Sequence, residues 1–325
     1  MSHVPVVDIA PFRHGGPTDK TDVAGRVDAA CRDLGFLVIE GHDVPDYMVS
    51  AMYDSAAEYF VLPYWEKMRL KMPPDRYRGY TPYGAETLAH SLDQSTAPDI
   101  KESFSIGPFE HACDAYHFGE SGARYFAPNI WPARPERMQS IWEAYYSEMS
   151  RLAGDLMRIF AVALGMPERW FDDKIDRHIT NFSAIHYPTQ PAAPSPDQLR
   201  AGAHTDYGSL TIVHTNTDVG GLEVRDRSGA WSRVPIVPRT VVVNLGDLMA
   251  EWTNDRWVST LHRVANPPRD QADRTKTSLL FFHQPNYDTV VECLPTCTGP
   301  GNPPRYRKTT SGEHATAKIE KHRTL

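Results

Sequence analysis

The chain has 325 residues, 41% of them apolar and 23% charged, with a formal net charge of -7. These proportions describe an ordinary globular protein long enough to bury a sizeable core, and they exclude a disordered or low-complexity chain. An acidic balance with a pI near 6.0 argues against nucleic acid as a partner, which needs a basic face, and no window has the ~18–20 apolar residues of a membrane span.

The opening VPVVDI reads as a short strand, and from Asp22 to Leu34 the residues Val23, Val27, Ala30 and Leu34 recur at helical spacing. GFLVIEGH switches back to a strand. A second helix after Pro45 sets Met48, Met52, Ala56 and Phe60 on one face, and Pro63 opens another. From Tyr77 to Pro132 the chain is rich in Gly, Pro, Tyr and Ser and has weak periodicity, so it reads as loops of the kind that often carry substrate contacts. Met138, Ile141, Tyr145, Met149, Leu152, Leu156, Ile159 and Ala163 then mark one long amphipathic helix closed by Gly165.

Beyond that helix come short β-type runs, ITNFSAIHYP, SLTIVHT, GLEVRD, WSRVPI, TVVVNL and TSLLFFHQP, separated by turn residues. Such a series predicts a mainly β core with flanking helices, an antiparallel barrel or jelly roll. The Arg- and Lys-bearing tail from Arg305 to Leu325 reads as a solvated, frayed terminus. Two regions packed as one unit result: 1-120, mixed and largely helical, and 121-325, the long helix plus the β core. Cys31, Cys113, Cys293 and Cys297 are too scattered for a disulfide framework, and CLPTC lacks the second ligand pair of a structural zinc site. With reduced thiols and no leader-like start, the protein is expected in the cytoplasm, as a monomer or weak homodimer.

In AGAHTDYGSL, His204 and Asp206 are two apart, a spacing that turns both side chains to one face of an extended segment. Alone this means little: 14 histidines and 25 aspartates in 325 residues give about one such pair by chance. His262 in STLHRVANPP adds a second imidazole. Two imidazoles and a carboxylate form the facial triad of non-heme iron(II) oxygenases, which keeps coordination positions open for a 2-oxo acid and dioxygen.

HTDYGSLTI, GGLEV, WSRVP, VVNLGDLM, WTNDRWVSTLHRV and FFHQPNYD together resemble the isopenicillin N synthase-like 2-oxoglutarate oxygenases. The resemblance extends to VPVVDIAPF, GFLVIEGHDVP, DIKESF and APNIWP, so it spans nearly the whole chain. It implies a double-stranded β-helix (a cupin-like jelly roll), the cofactors Fe(II), 2-oxoglutarate and O2, and oxidation of a small molecule by hydroxylation, desaturation or cyclisation. His204, Asp206 and His262 match the iron ligands. Tyr187 matches a tyrosine that helps bind the cosubstrate, and Ser278 the serine of the family's R-x-S motif.

The arginine of that motif is replaced by Lys276, which offers a point charge in place of a planar fork. Arg274 falls on the same face if the strand extends that far, and could substitute or assist. Ile185 stands where plant members carry asparagine. The altered motif keeps open an oxidase that uses iron without 2-oxoglutarate, and a further alternative is a non-catalytic small-molecule binder. Among other polar residues, His186 and His214 are expected to be structural, and His283 either structural or pocket-lining. Asn244, Gly246 and Asp247 read as turn and cap chemistry, and Arg78, Tyr80, Tyr83 and Phe104 as candidate substrate contacts in the loop-rich middle.

Overall fold

The computed structural model describes residues 4–323 other than 75, 93–95, 216, 218 and 220; at 91, 92 and 319–323 it describes the backbone alone. The strands of its two larger sheets are β1 (Val6–Asp8), β2 (Phe36–Glu40), β3 (Gly79–Thr81), β4 (Glu102–Ile106), β5 (Asn181–Tyr187), β6 (Ala201–His204), β7 (Leu210–Thr215), β8 (Leu222–Arg225), β9 (Trp231–Arg233), β10 (Val241–Leu245), β11 (His262–Val264) and β12 (Lys276–His283). Eight of them form one sheet in the order β1-β2-β10-β7-β12-β5-β4-β3, and β6-β11-β8-β9 form a second. Non-consecutive neighbours in both sheets give the jelly-roll weave of a double-stranded β-helix. Strands from both halves of the chain share the large sheet.

The two faces of the large sheet separate by strand parity. Across β4, β5, β12 and β7, the registers Phe104↔Ala184, Ala184↔Leu279 and Leu279↔His214 define one face. That face packs on the helix Met138–Ala163, whose Trp142 meets Phe104 and Phe182 edge-on with centroids 5.5 and 5.4 Å away. The helices Pro17–Asp33 and Asp46–Phe60 complete this layer, with Val27, Met52 and Ala56 fully buried. On the opposite face, Phe36, Val38, Val213 and Val242 pack on Val224 and Val234 near the second sheet, closing the barrel.

Helix boundaries follow their punctuation. Pro63 caps the short helix Tyr64–Met68, and the long helix stops before Gly165, whose φ of +73° is one that residues with a Cβ rarely adopt. The tail corrects an expectation: it is a helix, Ser311–Arg323, with His314 and Ala315 buried and Lys318 bonded to Asp247 at 2.6 Å. A charged sequence concealed it, since polar contacts help hold the segment, Lys318 with Asp247 and His314 with Glu251 at 3.2 Å. Leu325 lies outside the described residues. All four cysteines are free thiols, and among the described residues no helix is long and apolar enough to cross a membrane.

Candidate metal centre

His204 ends β6 and His262 begins β11, and the two are register partners in the second sheet. Asp206 follows just beyond β6, so one short segment and one strand end supply all three side chains. Their ligand atoms lie within 4.8 Å of one another. Asp206 Oδ1 stands 3.8 Å from His204 Nε2 and 3.7 Å from His262 Nε2.

Every other polar atom of the trio is held by protein. His204 Nδ1 donates to the Gly202 carbonyl at 2.8 Å and His262 Nδ1 to the Thr260 carbonyl at 3.0 Å. A carbonyl only accepts, so both rings carry their proton on Nδ1 and present a lone pair at Nε2. Asp206 Oδ2 accepts from Thr211 Oγ1 at 2.6 Å and from Asn244 Nδ2 at 2.7 Å, which turns Oδ1 toward the two Nε2 atoms. Burial, with His262 alongside, depresses the His204 pKa to about 3 despite the pull of Asp206. Burial opposes ionisation of Asp206, yet both imidazoles and the Asn244 and Thr211 hydrogen bonds hold its pKa below the usual carboxylate range. Neutral nitrogens and an ionised oxygen are the forms that bind a metal, and two imidazoles with one carboxylate suit iron(II).

The ligand segment is aimed by close backbone packing. A Cβ on Gly246 would fall 2.2 Å from the Gly208 carbonyl oxygen, so the turn after β10 presses against the loop just past Asp206. Asp247 N–H donates to the Asp206 carbonyl at 2.8 Å, and Gly246 is the N-cap of the helix Asp247–Trp252. Gly246 and Asp247 therefore are turn and cap residues. Asn244 is not: it sits inside β10, 2% exposed, and its amide serves Asp206. One amide in the otherwise apolar strand VVVNL was the sequence signal, since a buried polar group needs a partner.

Parity also sorts the remaining candidates. Tyr187, Lys276 and Ser278 lie on the barrel face, where Lys276 pairs with Tyr187 and Ser278 with Ile185 and Thr215. Lys276 Nζ donates to Thr215 Oγ1 and to the Thr217 carbonyl. Burial raises the Tyr187 pKa to about 12, so its hydroxyl keeps its proton. Arg274 corrects an expectation: β12 begins at Lys276, and Arg274 precedes it in an exposed turn.

Four candidate substrate contacts prove to belong to the packing instead. Phe104 and Tyr80 are register partners on the helix face, both fully buried, and Tyr80 Oη donates to Glu102 at 2.5 Å while Lys67 Nζ pairs with the same oxygen at 2.7 Å. Arg78 is 3% exposed and gives its donors to the Tyr77 and Tyr125 carbonyls at 2.9 and 2.6 Å. His283 is 1% exposed and bonded through Nδ1 to Ser209 Oγ at 2.6 Å. Tyr83 is exposed. His214 takes a 2.6 Å bond from Tyr145 and His186 stacks on Phe60, both structural as expected. The residues overlooked on the barrel face are Ser103, Ser105 and Ser183, all buried, with the last two bonded at 2.7 Å. Alternation along DIKESFS was their signal.

Comparison with known proteins agrees with this geometry. Residues 4–134 match the family described as non-haem dioxygenase in morphine synthesis N-terminal, and residues 179–285 match the 2OG-Fe(II) oxygenase superfamily. A homoarginine-6-hydroxylase of Oryza sativa subsp. japonica is 32% identical over 97% of this chain and 96% of its own. The validamycin A dioxygenase of Streptomyces hygroscopicus subsp. limoneus is 31% identical over 92% of this chain and 82% of its own. Among solved structures, a full-length Neurospora crassa protein in complex with alpha-KG and thymine superposes with a TM-score of 0.86 at 28% identity, covering 99% of this chain and 97% of that one.

Proposed function

The chain belongs to the 2-oxoglutarate–Fe(II) oxygenase superfamily and is an enzyme of that class acting on a small molecule, and we propose that it hydroxylates a polar one. The observation that carries this reading is the convergence of two Nε2 atoms and one carboxylate oxygen whose companion atoms are all tied to protein. Bound there, iron(II) with 2-oxoglutarate supplies the oxidising power that removes hydrogen from an unactivated carbon.

The chain's own residues do the rest. His204, Asp206 and His262 hold the metal by three adjacent positions and leave room for cosubstrate. Lys276, with Ser278 and the protonated Tyr187, receives the distal carboxylate of 2-oxoglutarate. The hydroxyls of Ser103, Ser105 and Ser183 line the barrel face, where they would hold a substrate with polar groups. Relatives named for homoarginine and validamycin A, and a neighbour solved with thymine, are in keeping with such a substrate. Free thiols fit a cytoplasmic setting.

The test is a screen of polar, nitrogen-bearing small molecules for dioxygen uptake that requires iron(II) and 2-oxoglutarate together and yields succinate. Uptake without succinate would instead establish the oxidase alternative.

A further inference from the structure

We infer that Asp99 is a positioning residue for the metal centre, its carboxylate holding the strand that carries His204 against the segment leading into β4. This rests on the metal reading above and concerns a residue outside the ligand trio. β6 is the edge strand of the second sheet, so part of its backbone needs partners other than β11. Asp99 supplies one of them. Its Oδ1 accepts the Gly202 N–H at 2.9 Å, and one residue later the Ile100 N–H donates to the Leu199 carbonyl at 3.0 Å. Gly202 is also the residue whose carbonyl takes the His204 Nδ1 proton at 2.8 Å. The backbone of a single residue thus connects the Asp99 carboxylate to the ring of a metal ligand.

The same carboxylate reaches a second element. Oδ2 accepts the Leu88 N–H at 3.2 Å, where the helical turn Leu88–Leu92 begins, and the Asp99 N–H donates to the Glu86 carbonyl at 2.9 Å. That turn lies hard against β6. A Cβ on Gly202 would stand 3.2 Å from both the Cβ and the amide nitrogen of Ala89, and 3.3 Å from Asp99 Oδ1. The clamp and the close approach act on one residue, two before His204.

Asp99 is 2% exposed, and burying a carboxylate is costly unless it is hydrogen-bonded and its charge is balanced. Two backbone N–H groups provide the first, and Lys101 Nζ, 3.8 Å from Oδ2, the second. The distances rank these partners. Lys101 lies nearer Glu86, at 2.9 Å, so the short contacts of Asp99 are those to backbone. A buried charge placed on backbone donors of two separate segments fixes where those segments sit. Metal–ligand distances are held to about 0.2 Å, so a shift of a few tenths of an ångström at Gly202 is enough to be felt at His204.

The experiment uses the full chain, with iron(II) affinity read by chelator competition and the cobalt(II)-loaded protein read by proton NMR. There the Nδ1–H of each ligand imidazole gives its own shifted, solvent-exchangeable resonance. Asp99→Asn keeps the size and one acceptor but meets the second backbone N–H with a donor. It should weaken iron(II) binding roughly tenfold and move the His204 resonance while leaving that of His262 in place. Gly202→Ala, which presses on Ala89 and Asp99 from the strand side, should do the same, and either variant decides the question if the other does not fold. Tyr80→Phe, which loosens the helix face, should alter neither readout. Parent affinity and unmoved resonances at a lowered urea midpoint would make Asp99 a structural residue and overturn the inference, as would equal movement of both resonances. A parent protein that binds no iron(II) would instead remove the metal reading, and the inference with it.

Discussion

On the helix side of the large sheet, His214 is tied to Tyr145 and His283 to Ser209, while Tyr80 and Lys67 close on Glu102. On the barrel side, two Nε2 atoms and Asp206 Oδ1 face one another, and Lys276 and Tyr187 stand in register at one end of the wall. Both faces bury polar groups, which is expensive unless each finds a partner. On the helix face these four groups spend their polar atoms on protein partners and gain rigidity. The barrel face holds each functional side chain by its secondary atoms and aims the primary ones at a shared point. A buried polar side chain therefore reports function by which of its atoms is used up, more than by its burial.

The strongest way to break that comparison is to remove a metal ligand. His204→Ala, Asp206→Ala or His262→Ala should abolish turnover and nearly eliminate iron(II) binding, measured by metal content after gel filtration, yet leave a folded protein by circular dichroism. Normal turnover in any of them would end the assignment. Next in size is Lys276→Ala, which should raise the 2-oxoglutarate requirement by roughly one to two decades while changing the substrate requirement little, with Lys276→Arg retaining part of the binding. Asn244→Ala leaves Asp206 Oδ2 with Thr211 alone and should weaken iron(II) affinity by about tenfold, read by competition with a chelator.

The helix face should answer differently. Tyr80→Phe removes a hydrogen bond to a buried carboxylate and should cost about 1–3 kcal/mol of stability, seen as a lower urea midpoint. Iron(II) and 2-oxoglutarate affinities should stay at parent values. A loss of affinity at full stability would return Tyr80 to the substrate side and blur the distinction between the faces.

The sequence made the ligands legible because a metal site needs particular residue types at particular spacings, and HTD with a later strand histidine is such a pattern. The long helix was legible for the same reason: its apolar period runs unbroken from Met138 to Ala163. Tyr80, Phe104 and Arg78 were misplaced because a loop-rich, aromatic segment reads as a source of substrate contacts until pairing is known. Once β3 is seen to pair with β4, Tyr80 and Phe104 fall on the helix face together. Asn244 was hidden for a related reason, since its partner Asp206 is 38 residues away in sequence. The docked tail was missed because apolar period, the signal read for helices, is weak in so polar a segment.

The smallest predicted effect tests the helix face through pH. Burial depresses the His214 pKa to about 3, whereas an unfolded histidine titrates near 6.5. Between those values the unfolded chain takes up a proton that the native state refuses. Stability from this residue is therefore fully present above about pH 6.5 and is lost progressively as pH falls toward 3. From pH 7.5 to 6.0 the loss should be about 1 kcal/mol for this one group. Replacing His214 by glutamine keeps a polar partner for the Tyr145 hydroxyl and removes the titration. The measurement compares urea midpoints of parent and His214→Gln at both pH values on metal-free protein, so that every other titrating group cancels. The parent should weaken more on acidification, by about that amount. Parallel curves would mean that His214 takes up its proton in the native state, and then its ring would not be the closed, proton-refusing group that sets the helix face apart from the barrel side.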